Sequence, residues 1–448
     1  MTRATEPLEI CERTLGLVST LVGDDAEAQV TVHTGGSALT RFANSFIHQN
    51  MVDQTMSVGL TLTMDGRTAS ASATSTDDDD LSRLVRSAAA AAGVRPADPA
   101  WPGLAPPSAP APDGHWDDGT AGASPDVRAR LVADFIAAAD GLGAAGSCET
   151  TAVRAAYANS AGQRLQGRST VATLDGIARS ATADGSGRQC SAAVAELDGT
   201  ATGSAAARLA REGADARDVE PGRYEVVLGP GCVADVLFFL AVYGFNARAV
   251  AEGRSFARVG ERQFDPALTL WDDATDPRSV GLPFDAEGTP KRRVDLVRAG
   301  ETVGLAHDRR TAAAAGADST GHAIEGGESF GAVPGNLLLA PGAATPEELV
   351  SGIGHGLLVT DFWYTRVLDP RTQVVTGLTR NGVFMIEDGR LAGPVRNLRF
   401  TQSYVDALAP GNVRAVGSDS QLVPVYFGTC AVPSLHLAAW NFTGGSAG

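Results

Sequence analysis

Histidine and glutamate side chains that could bind a metal ion or transfer a proton occur close together at one place in the sequence. His322 and Glu325 are three residues apart, a spacing that would place both side chains on one face of a helix. The neighbouring Gly321, Gly326 and Gly327 disfavour a helix there. We therefore interpret His322 as a loop histidine held by local hydrogen bonds, with metal binding as the less favoured alternative.

A second histidine, His355, stands between two glycines and just before a strand predicted over residues 357–359. This position would suit a side chain that lines a substrate groove. The alternative that we favour is structural packing at a turn, and catalysis by His355 is the weaker hypothesis.

A dense set of polar and aromatic side chains follows between residues 360 and 371. The set comprises Asp361, Trp363, Tyr364, Arg366, Asp369 and Arg371. Because Trp, Tyr and Arg anchor many interfaces, the segment either contacts a partner or lines a groove, or it is an ordinary solvated hairpin. Further along, Arg380, Asn381 and Gly382 predict a turn, with peptide contact as the alternative. The peptide-groove or partner-contact candidates are His355, Trp363, Tyr364, Arg366, Arg380 and Asn381.

Cysteine chemistry is a third possibility that the sequence supports poorly. The cysteines are far apart and form neither a CxxC pair nor a zinc-finger cluster: Cys11, Cys148, Cys190, Cys232 and Cys430. We interpret them as isolated buried thiols. A metal-independent hydrolase with Cys232 or Cys430 as nucleophile lacks an adjacent base in the sequence.

Composition and missing signatures exclude several classes of protein. The chain has 448 residues, 44% of them hydrophobic, and a formal net charge of -16, which argues against nucleic-acid binding. It contains no GxxxxGK[ST] or HExxH motif and no GxGxxG that opens a βαβ unit. The first ten residues lack a secretory pattern, and the apolar run at 233–242 is too short to span a bilayer. We expect a cytoplasmic protein without a membrane segment.

Apolar periodicity predicts the elements that position these side chains. Helical spacing occurs at residues 8–22, 125–139, 202–212 and 231–252, while residues 28–73 alternate as in an antiparallel meander. The second half is rich in strands and in turns marked by Pro and Gly. We expect an α+β protein. Its N-terminal domain, residues 1–217, has helices packed on an antiparallel sheet, and its C-terminal domain, residues 218–448, is β-rich.

Four segments of the chain resemble one known family. Residues 39–50, LTRFANSFIHQN, resemble the N-terminal signature of the TldD/PmbA family, also called the modulator of DNA gyrase family. Agreement continues at residues 157–162, 224–230 and 378–389, so the resemblance spans essentially the whole chain. It implies the α+β architecture described above.

The resemblance also implies what this chain has lost. In the active TldD-type subunit, the helix after the strand that matches residues 224–228 bears an HExxxH motif that binds zinc. In this chain Phe239 and Gly244 stand at the two histidine positions and Leu240 at the position of the general base. A third ligand, a cysteine ahead of Gln-x-Val-Pro-Val in the family, is missing from residues 415–420, and Val416 stands in that region.

These losses imply a TldE-like subunit that binds no metal and is inactive alone. Zinc is expected in a TldD-like partner, with which this chain would form a heterodimer and complete a chamber for unfolded or flexible peptides. The alternative is a non-enzymatic peptide-binding or protein-binding protein that has no peptidase partner. We expect no contact with nucleic acid or membrane.

Overall fold

The computed structural model describes residues 6–112 and 115–445 of the chain. Its helices are α1 Pro7–Leu21, α2 Asp78–Gly93, α3 Asp118–Ala121, α4 Pro125–Ala138, α5 Gly199–Glu212, α6 Pro230–Tyr243, α7 Ala247–Ala251, α8 Arg309–Ala315, α9 Pro346–Ser351 and α10 Tyr404–Ala407. The strands of the first half are β1 Glu27–Ala43, β2 Phe46–Met64, β3 Arg67–Ala73, β4 Gly143–Asn159, β5 Arg164–Arg179 and β6 Asp184–Ser191. In the part of the chain described, each helix is too short or too polar to cross a lipid bilayer.

The strands of the second half are β7 Gly222–Leu228, β8 Leu270–Asp272, β9 Val294–Arg298, β10 Glu301–Thr302, β11 Asn336–Leu339, β12 His355–Asp369, β13 Val374–Glu387, β14 Arg390–Pro394, β15 Leu398–Ser403, β16 Val413–Val416, β17 Gln421–Val425, β18 Gly428–Val432 and β19 Leu435–Gly445. Two further sheets are built from them. The predicted α+β class is thereby confirmed, with helices on an antiparallel sheet first and a β-rich part second.

The first sheet has the strand order β3-β2-β1-β4-β5-β6, and every neighbouring pair is antiparallel. Side chains alternate between its faces, so the even-numbered residues of β1, such as Val30 and Phe42, lie on one buried face. Near one end of this face α1 and α2 cover Val30, and near the other end α4 covers Phe42 with Phe135. The predicted meander over residues 28–73 is confirmed.

The second sheet has the order β10-β9-β8-β11-β18-β17. In the third sheet β12, β7, β19, β15 and β13 pair in succession, and β13 pairs back to β12, so these five strands close into a ring. β14 extends β13 and β16 pairs with β19. Closure leaves fewer unpaired strand edges in this part of the chain.

Helix α6 lies in the core between these two sheets. Val233, Leu237 and Leu240 are buried in one cluster with Leu337 of the second sheet and Leu357 of the third. The helix begins with Pro230 in its first turn, where a missing N–H is tolerated. Because its side chains are apolar except at Asp235 and Tyr243, most of the helix is suited to burial between two sheets.

The single helix predicted over residues 231–252 is wrong. α6 ends at Tyr243, and the shorter α7 starts at Ala247. Asn246 separates them because its side chain accepts hydrogen bonds from the backbone N–H groups of Arg248 and Ala249. Asparagine at this N-cap position competes with helix continuation.

The strands of the first sheet all precede Arg217, and those of the other two sheets all follow it. The boundary between residues 217 and 218 stays a prediction. The two halves are in contact: His115 Nε2 lies 2.6 Å from the carbonyl oxygen of Ala274, and Gln163 donates to the carbonyl oxygen of Gly288 at 3.1 Å.

Candidate functional site

The last turn of α6 carries the residues that replace a metal motif in our sequence interpretation. Phe239 is 9% exposed, and its ring stacks on Tyr243 with centroids 6.2 Å apart. Tyr404 contacts the same ring edge-on at 6.2 Å. Leu240 is 1% exposed in the main core. None of these side chains except the tyrosines carries a lone pair, and the tyrosines are engaged in packing.

Gly244 follows Tyr243 directly and has no space for a side chain. A Cβ atom added there would overlap the ring of Phe256 and the carbonyl oxygen of Leu240. Phe256 also contacts Phe245 and Phe264, with ring centroids 5.5 and 5.8 Å away. The volume that a histidine side chain would need at position 244 is therefore filled by an aromatic cluster.

Val416 lies at the end of β16, is 7% exposed and packs in the main core, with Gly342 directly against it. Among residues 6–112 and 115–445, no three His, Cys, Asp or Glu side chains are grouped so that they could hold a metal ion. The residues at the three predicted ligand positions do not fit zinc, because carbon side chains and a bare glycine offer no donor atom.

An aromatic row runs along the accessible side of α6. Phe238 stacks on Phe427 at 6.2 Å, and Tyr243 contacts Phe330 edge-on at 6.5 Å. Phe427 is 38% exposed, and its neighbour Tyr426 is 85% exposed at the β17–β18 turn. The row presents aromatic side chains to solvent at the place where the family resemblance puts a zinc site.

Two stacked pairs of predicted candidates lie together where β12 and β13 become irregular. The Arg380 guanidinium lies 4.3 Å above the ring of Trp363, and the Arg366 guanidinium lies 4.5 Å above the ring of Tyr364. Trp363 and Tyr364 are 53% and 66% exposed. Exposed aromatic rings of this size, each covered by an arginine, are typical of association surfaces.

Asn381 does not lie in the turn that the sequence predicts at residues 380–382; that prediction is wrong. The residues lie inside β13, at a bulge opposite Thr360 where the register with β12 shifts. Asn381 has a φ of 57° and Gly382 a φ of 153°, so both tolerate the backbone that the bulge requires. Thr360 fixes the bulge by donating to the carbonyl oxygen of Gly382 at 3.0 Å.

His355 is separate from the Trp363 pair. It begins β12, is exposed, and packs its ring on Tyr224 with centroids 5.8 Å apart. Eight residues of strand separate it from Trp363, a distance of about 26 Å at about 3.3 Å per residue. The structure therefore places Trp363, Tyr364, Arg366 and Arg380 together and His355 at the far end of the strand.

His322 is buried and has a partner on each ring nitrogen. Its Nε2 lies 2.8 Å from Asp272 Oδ1, and its Nδ1 lies 2.9 Å from Thr320 Oγ1. Asp272 also accepts from the backbone N–H of Asn336 at 2.6 Å. These bonds agree with our interpretation of His322 as a structural residue, and Glu325 lies apart as an exposed side chain.

The thiols do not support a cysteine nucleophile. Burial raises the pKa of Cys232 and of Cys430 well above the ordinary range. The Cys232 thiol donates to the carbonyl oxygen of Val359 at 3.5 Å. Both thiols are therefore protonated at neutral pH and inaccessible to a substrate.

Asp235 is a half-buried residue whose carboxyl group sequence reasoning did not single out. It lies on α6 and accepts hydrogen bonds from Thr365 at 2.8 Å and from Tyr404 at 2.9 Å. Burial raises the pKa of Asp235 to about 6, with a smaller contribution from the charge of Asp361. The apolar run around it gave no sign of this, because burial depends on the strands that enclose the helix.

We expect Asp235→Asn to stabilise the fold above pH 6. The carboxyl pKa is about 6 in the folded chain and about 3.9 in an unfolded one. The stability that this group contributes is therefore fully present below about pH 3.9 and is lost as the pH rises through about 6. Asparagine does not ionise, so it removes this loss, but it weakens one of the two hydrogen bonds. The net gain in the free energy of unfolding is about 2 kcal/mol at pH 7.5. Urea unfolding of both proteins at pH 5 and pH 7.5 measures it; an equal difference at both pH values would contradict the assignment.

A cavity of about 530 Å³ lies between the first sheet and loops of the second half. Hydroxyl groups of Thr31, Ser57 and Ser70 line one side, and Glu287 lies on the other. Burial, followed by the charge of Asp285, raises the pKa of Glu287 to about 8. At neutral pH its carboxyl group is therefore protonated and can donate as well as accept a hydrogen bond.

Comparison with known proteins gives matches along most of the chain. The profile of the PmbA/TldA metallopeptidase C-terminal domain matches residues 221–444, and that of PmbA/TldA metallopeptidase domain 1 matches residues 28–92. The metalloprotease slr0863 of Synechocystis sp. is 27% identical over 217 residues, which are 45% of this chain and 43% of that relative. The match thus spans less than half the length of the curated relative.

Solved structures show the same fold. TldE from Thermococcus kodakarensis superposes with a TM-score of 0.87 at 19% identity, covering 96% of this chain and all of that one. A proposed modulator of a DNA gyrase from Thermotoga maritima superposes with a TM-score of 0.84 at 17% identity, over 97% of this chain and 99% of that one. At these identities the likeness shows the fold alone.

Proposed function

Because the chain belongs to the PmbA/TldD metallopeptidase family, we propose that it is the TldE-like subunit of a two-subunit zinc peptidase. In this proposal the chain binds no zinc, a TldD-like partner carries the metal and the catalytic groups, and the two subunits enclose a chamber for unfolded or flexible peptides. The complex acts in the cytoplasm.

The observation that carries the proposal is the packing at the end of α6. Phe239 stacks on Tyr243 and contacts Tyr404 edge-on, and Phe256 fills the side-chain space beside Gly244. Histidine side chains substituted at positions 239 and 244 could not be accommodated by rotamer changes alone, because the neighbouring aromatic rings would have to move. The position is thus built as core, and catalysis requires groups from another chain.

The exposed aromatic surfaces support the need for a partner. Trp363 and Tyr364 are adjacent exposed residues of β12, here called the Trp363–Tyr364 ridge, and Tyr426 and Phe427 lie on the β17–β18 turn. Large apolar side chains in such exposed positions are typical of surfaces that another chain covers. We assign the Trp363–Tyr364 ridge to the contact with the zinc-bearing subunit.

A peptide held in such a chamber would bind mainly through its backbone. Backbone hydrogen bonds to a strand give affinity without requiring a particular sequence, while shallow pockets give a preference for certain side chains. The aromatic row from Phe427 to Phe330 would supply apolar pockets of this kind.

The test is a comparison of the purified chain with the complex formed by co-expression with a TldD-like protein that contains HExxxH. We expect less than about a tenth of a zinc ion per isolated chain and no cleavage of an unstructured casein peptide, because carbon side chains offer zinc no donor atom. The complex should contain about one zinc ion per heterodimer and cleave the peptide until a chelator is added.

Three other outcomes would contradict the proposal in part or as a whole. Stoichiometric zinc in the isolated chain would contradict the assignment of Phe239 and Gly244 as the lost ligand positions. Chelator-resistant cleavage by the chain alone would contradict the whole proposal. A stable chain that binds the peptide but never assembles with the zinc protein would favour a non-enzymatic binding protein.

A further inference from the structure

One arginine in the first half of the chain is buried without a counter-charge. Arg128 lies on α4 and is 0% exposed. Its Nη1 donates to the carbonyl oxygen of Ala123 and to Thr150 Oγ1, both at 3.0 Å. Its Nε and Nη2 have no hydrogen-bond partner among the described residues. These two nitrogens form one edge of the guanidinium, the edge that grips a carboxylate with two parallel bonds.

The surroundings of Arg128 do not neutralise it. Burial lowers the pKa of Arg128, and among the described residues the only titratable group that acts on its charge is the Cys148 thiol. Burial raises the pKa of that thiol to about 12, so it is uncharged at neutral pH. Water can satisfy free N–H groups but cannot cancel a buried charge, which is costly unless an anion accompanies it.

Arg128 lines a cavity of about 420 Å³ on the helix-covered face of the first sheet. The cavity occupies the gap between the α1–α2 pair at one end of this face and the α4–α5 pair at the other. Gly35 and Gly36 form part of its floor, and the side-chain amide of Gln54 occupies the space that a side chain at position 36 would need.

The chemistry of the lining suits an anion. Among the described residues around the cavity there is no Asp or Glu, whereas Arg128, Arg154, Gln54, Thr34 and Thr150 all contribute. The formal charge of the whole chain is -16, so an acid-free lining with two arginines departs from the average of the protein.

Two further features act in the same direction. The cavity also touches Ala123 and Pro125, where α4 begins, and the positive end of a helix dipole favours an anion. Asp126 in the first turn of α4 is exposed and does not line the cavity.

We propose that this cavity is a carboxylate-binding site for a peptide. The Nε and Nη2 edge of Arg128 is closed to solvent in the free chain, and a carboxylate that enters the cavity reaches this edge with both oxygens after a small shift of the lining side chains. A monoanion balances the one guanidinium that is buried, because the charge of Arg154 at the rim is exposed to water and screened. Arg154 lies at the rim, exposed and stacked 4.6 Å from the ring of Trp116. The site belongs to this chain alone and requires no zinc-bearing partner, so its failure and the failure of the proposed function are separable.

The test is calorimetric titration of the isolated full-length chain with four probes. They are an N-acetylated pentapeptide of Ala and Gly with a free C-terminal carboxylate, its C-terminal amide, the same amide with one Glu, and inorganic phosphate. We expect the free C-terminal peptide or the Glu peptide to bind, and the neutral amide to bind at least tenfold more weakly. The comparison of the first and third probes identifies which carboxylate is recognised.

Two variants and a control decide whether Arg128 is responsible. Arg128→Lys keeps the positive charge but loses the pair of parallel N–H donors. Arg128→Met removes the charge and keeps an unbranched side chain. Both should weaken the carboxylate probe at least tenfold. Arg130→Met, an exposed residue on the same helix that does not line the cavity, should leave the affinity unchanged.

Thermal melting without ligand shows whether these variants still fold. Without ligand, Arg128→Met should melt at the same temperature as the original chain or higher, because an apolar side chain replaces an uncompensated buried charge. Tight binding of the amide, unchanged binding in Arg128→Lys, preference for phosphate over carboxylate, or no binding of any probe would each overturn the proposal.

Discussion

Gly244→Ala is expected to lower the free energy of unfolding by about 3 kcal/mol, and Gly244→His by more. The added Cβ overlaps the Phe256 ring and the Leu240 carbonyl oxygen, and neither can withdraw into open space. Overpacking of a filled core costs about 1 to 3 kcal/mol and sometimes more, and here both a ring and the backbone oppose the methyl group. Urea unfolding followed by far-ultraviolet circular dichroism measures the change.

The control is Gly93→Ala at the end of α2, where an added Cβ meets no atom within 4 Å. We expect that change to be neutral or slightly stabilising, since alanine reduces the entropy of the unfolded chain. A double-mutant cycle that combines Gly244→Ala with Phe256→Leu, which shortens the opposing side chain, tests whether the clash is relieved. A double variant more stable than the sum of the single changes would confirm the clash, whereas strict additivity would contradict it.

This prediction also tests the proposal that the chain binds no zinc. If Gly244→His were tolerated without loss of stability, the end of α6 would be free to hold a ligand, and the packing argument for a zinc-free subunit would fail. If it is strongly destabilising, a zinc site cannot be regained by a few substitutions. The expected order of stability is therefore original chain, then Gly244→Ala, then Gly244→His.

Trp363→Ala is expected to weaken the complex with the zinc-bearing subunit by about 30-fold. Truncation of a central aromatic anchor costs about 2 kcal/mol or more of binding free energy, and each 1.4 kcal/mol corresponds to about tenfold in affinity. Trp363 is 53% exposed in the chain alone, and Arg380 stacks on it, so the change removes both the ring and the stacking. Surface plasmon resonance with the immobilised partner measures the affinity.

Val94→Ala serves as the matched control for this binding experiment. Val94 is 86% exposed and lies at the end of α2, far along the chain from Trp363. Neither variant should change the stability of the isolated chain by more than about 0.5 kcal/mol, because both side chains are at the surface. Equal affinities for the partner in both variants would remove the Trp363–Tyr364 ridge from the interface.

Sequence patterns predicted elements best where the periodicity was long and local. The alternation over residues 28–73 gave the β1–β3 meander, and the spacing over 125–139 gave α4 to within one residue. The patterns failed where a single side chain decides the backbone. Asn246 ends one helix and caps the next, and Asn381 bends β13 at a bulge where the sequence predicts a turn.

The candidate site was only partly accessible to sequence reasoning. Trp363, Tyr364, Arg366 and Arg380 were all predicted as peptide-groove or partner-contact candidates, and the structure stacks them in two pairs. His355 belonged to the same set of candidates but lies at the far end of β12. Sequence spacing alone does not show whether two residues share a surface, because that depends on whether one continuous strand separates them.

By itself the sequence determined the family, through motifs distributed along the whole chain, and the residue types at positions 239, 240 and 244. Only the tertiary structure decided that Phe256 fills the space beside Gly244, that Asp235 is hydrogen-bonded by Thr365 and Tyr404, and that Arg128 has no counter-charge among the described residues. The physical reason is that side-chain type and periodicity are local properties. Desolvation, steric overlap and charge compensation depend instead on residues far apart in the chain that folding brings into one volume.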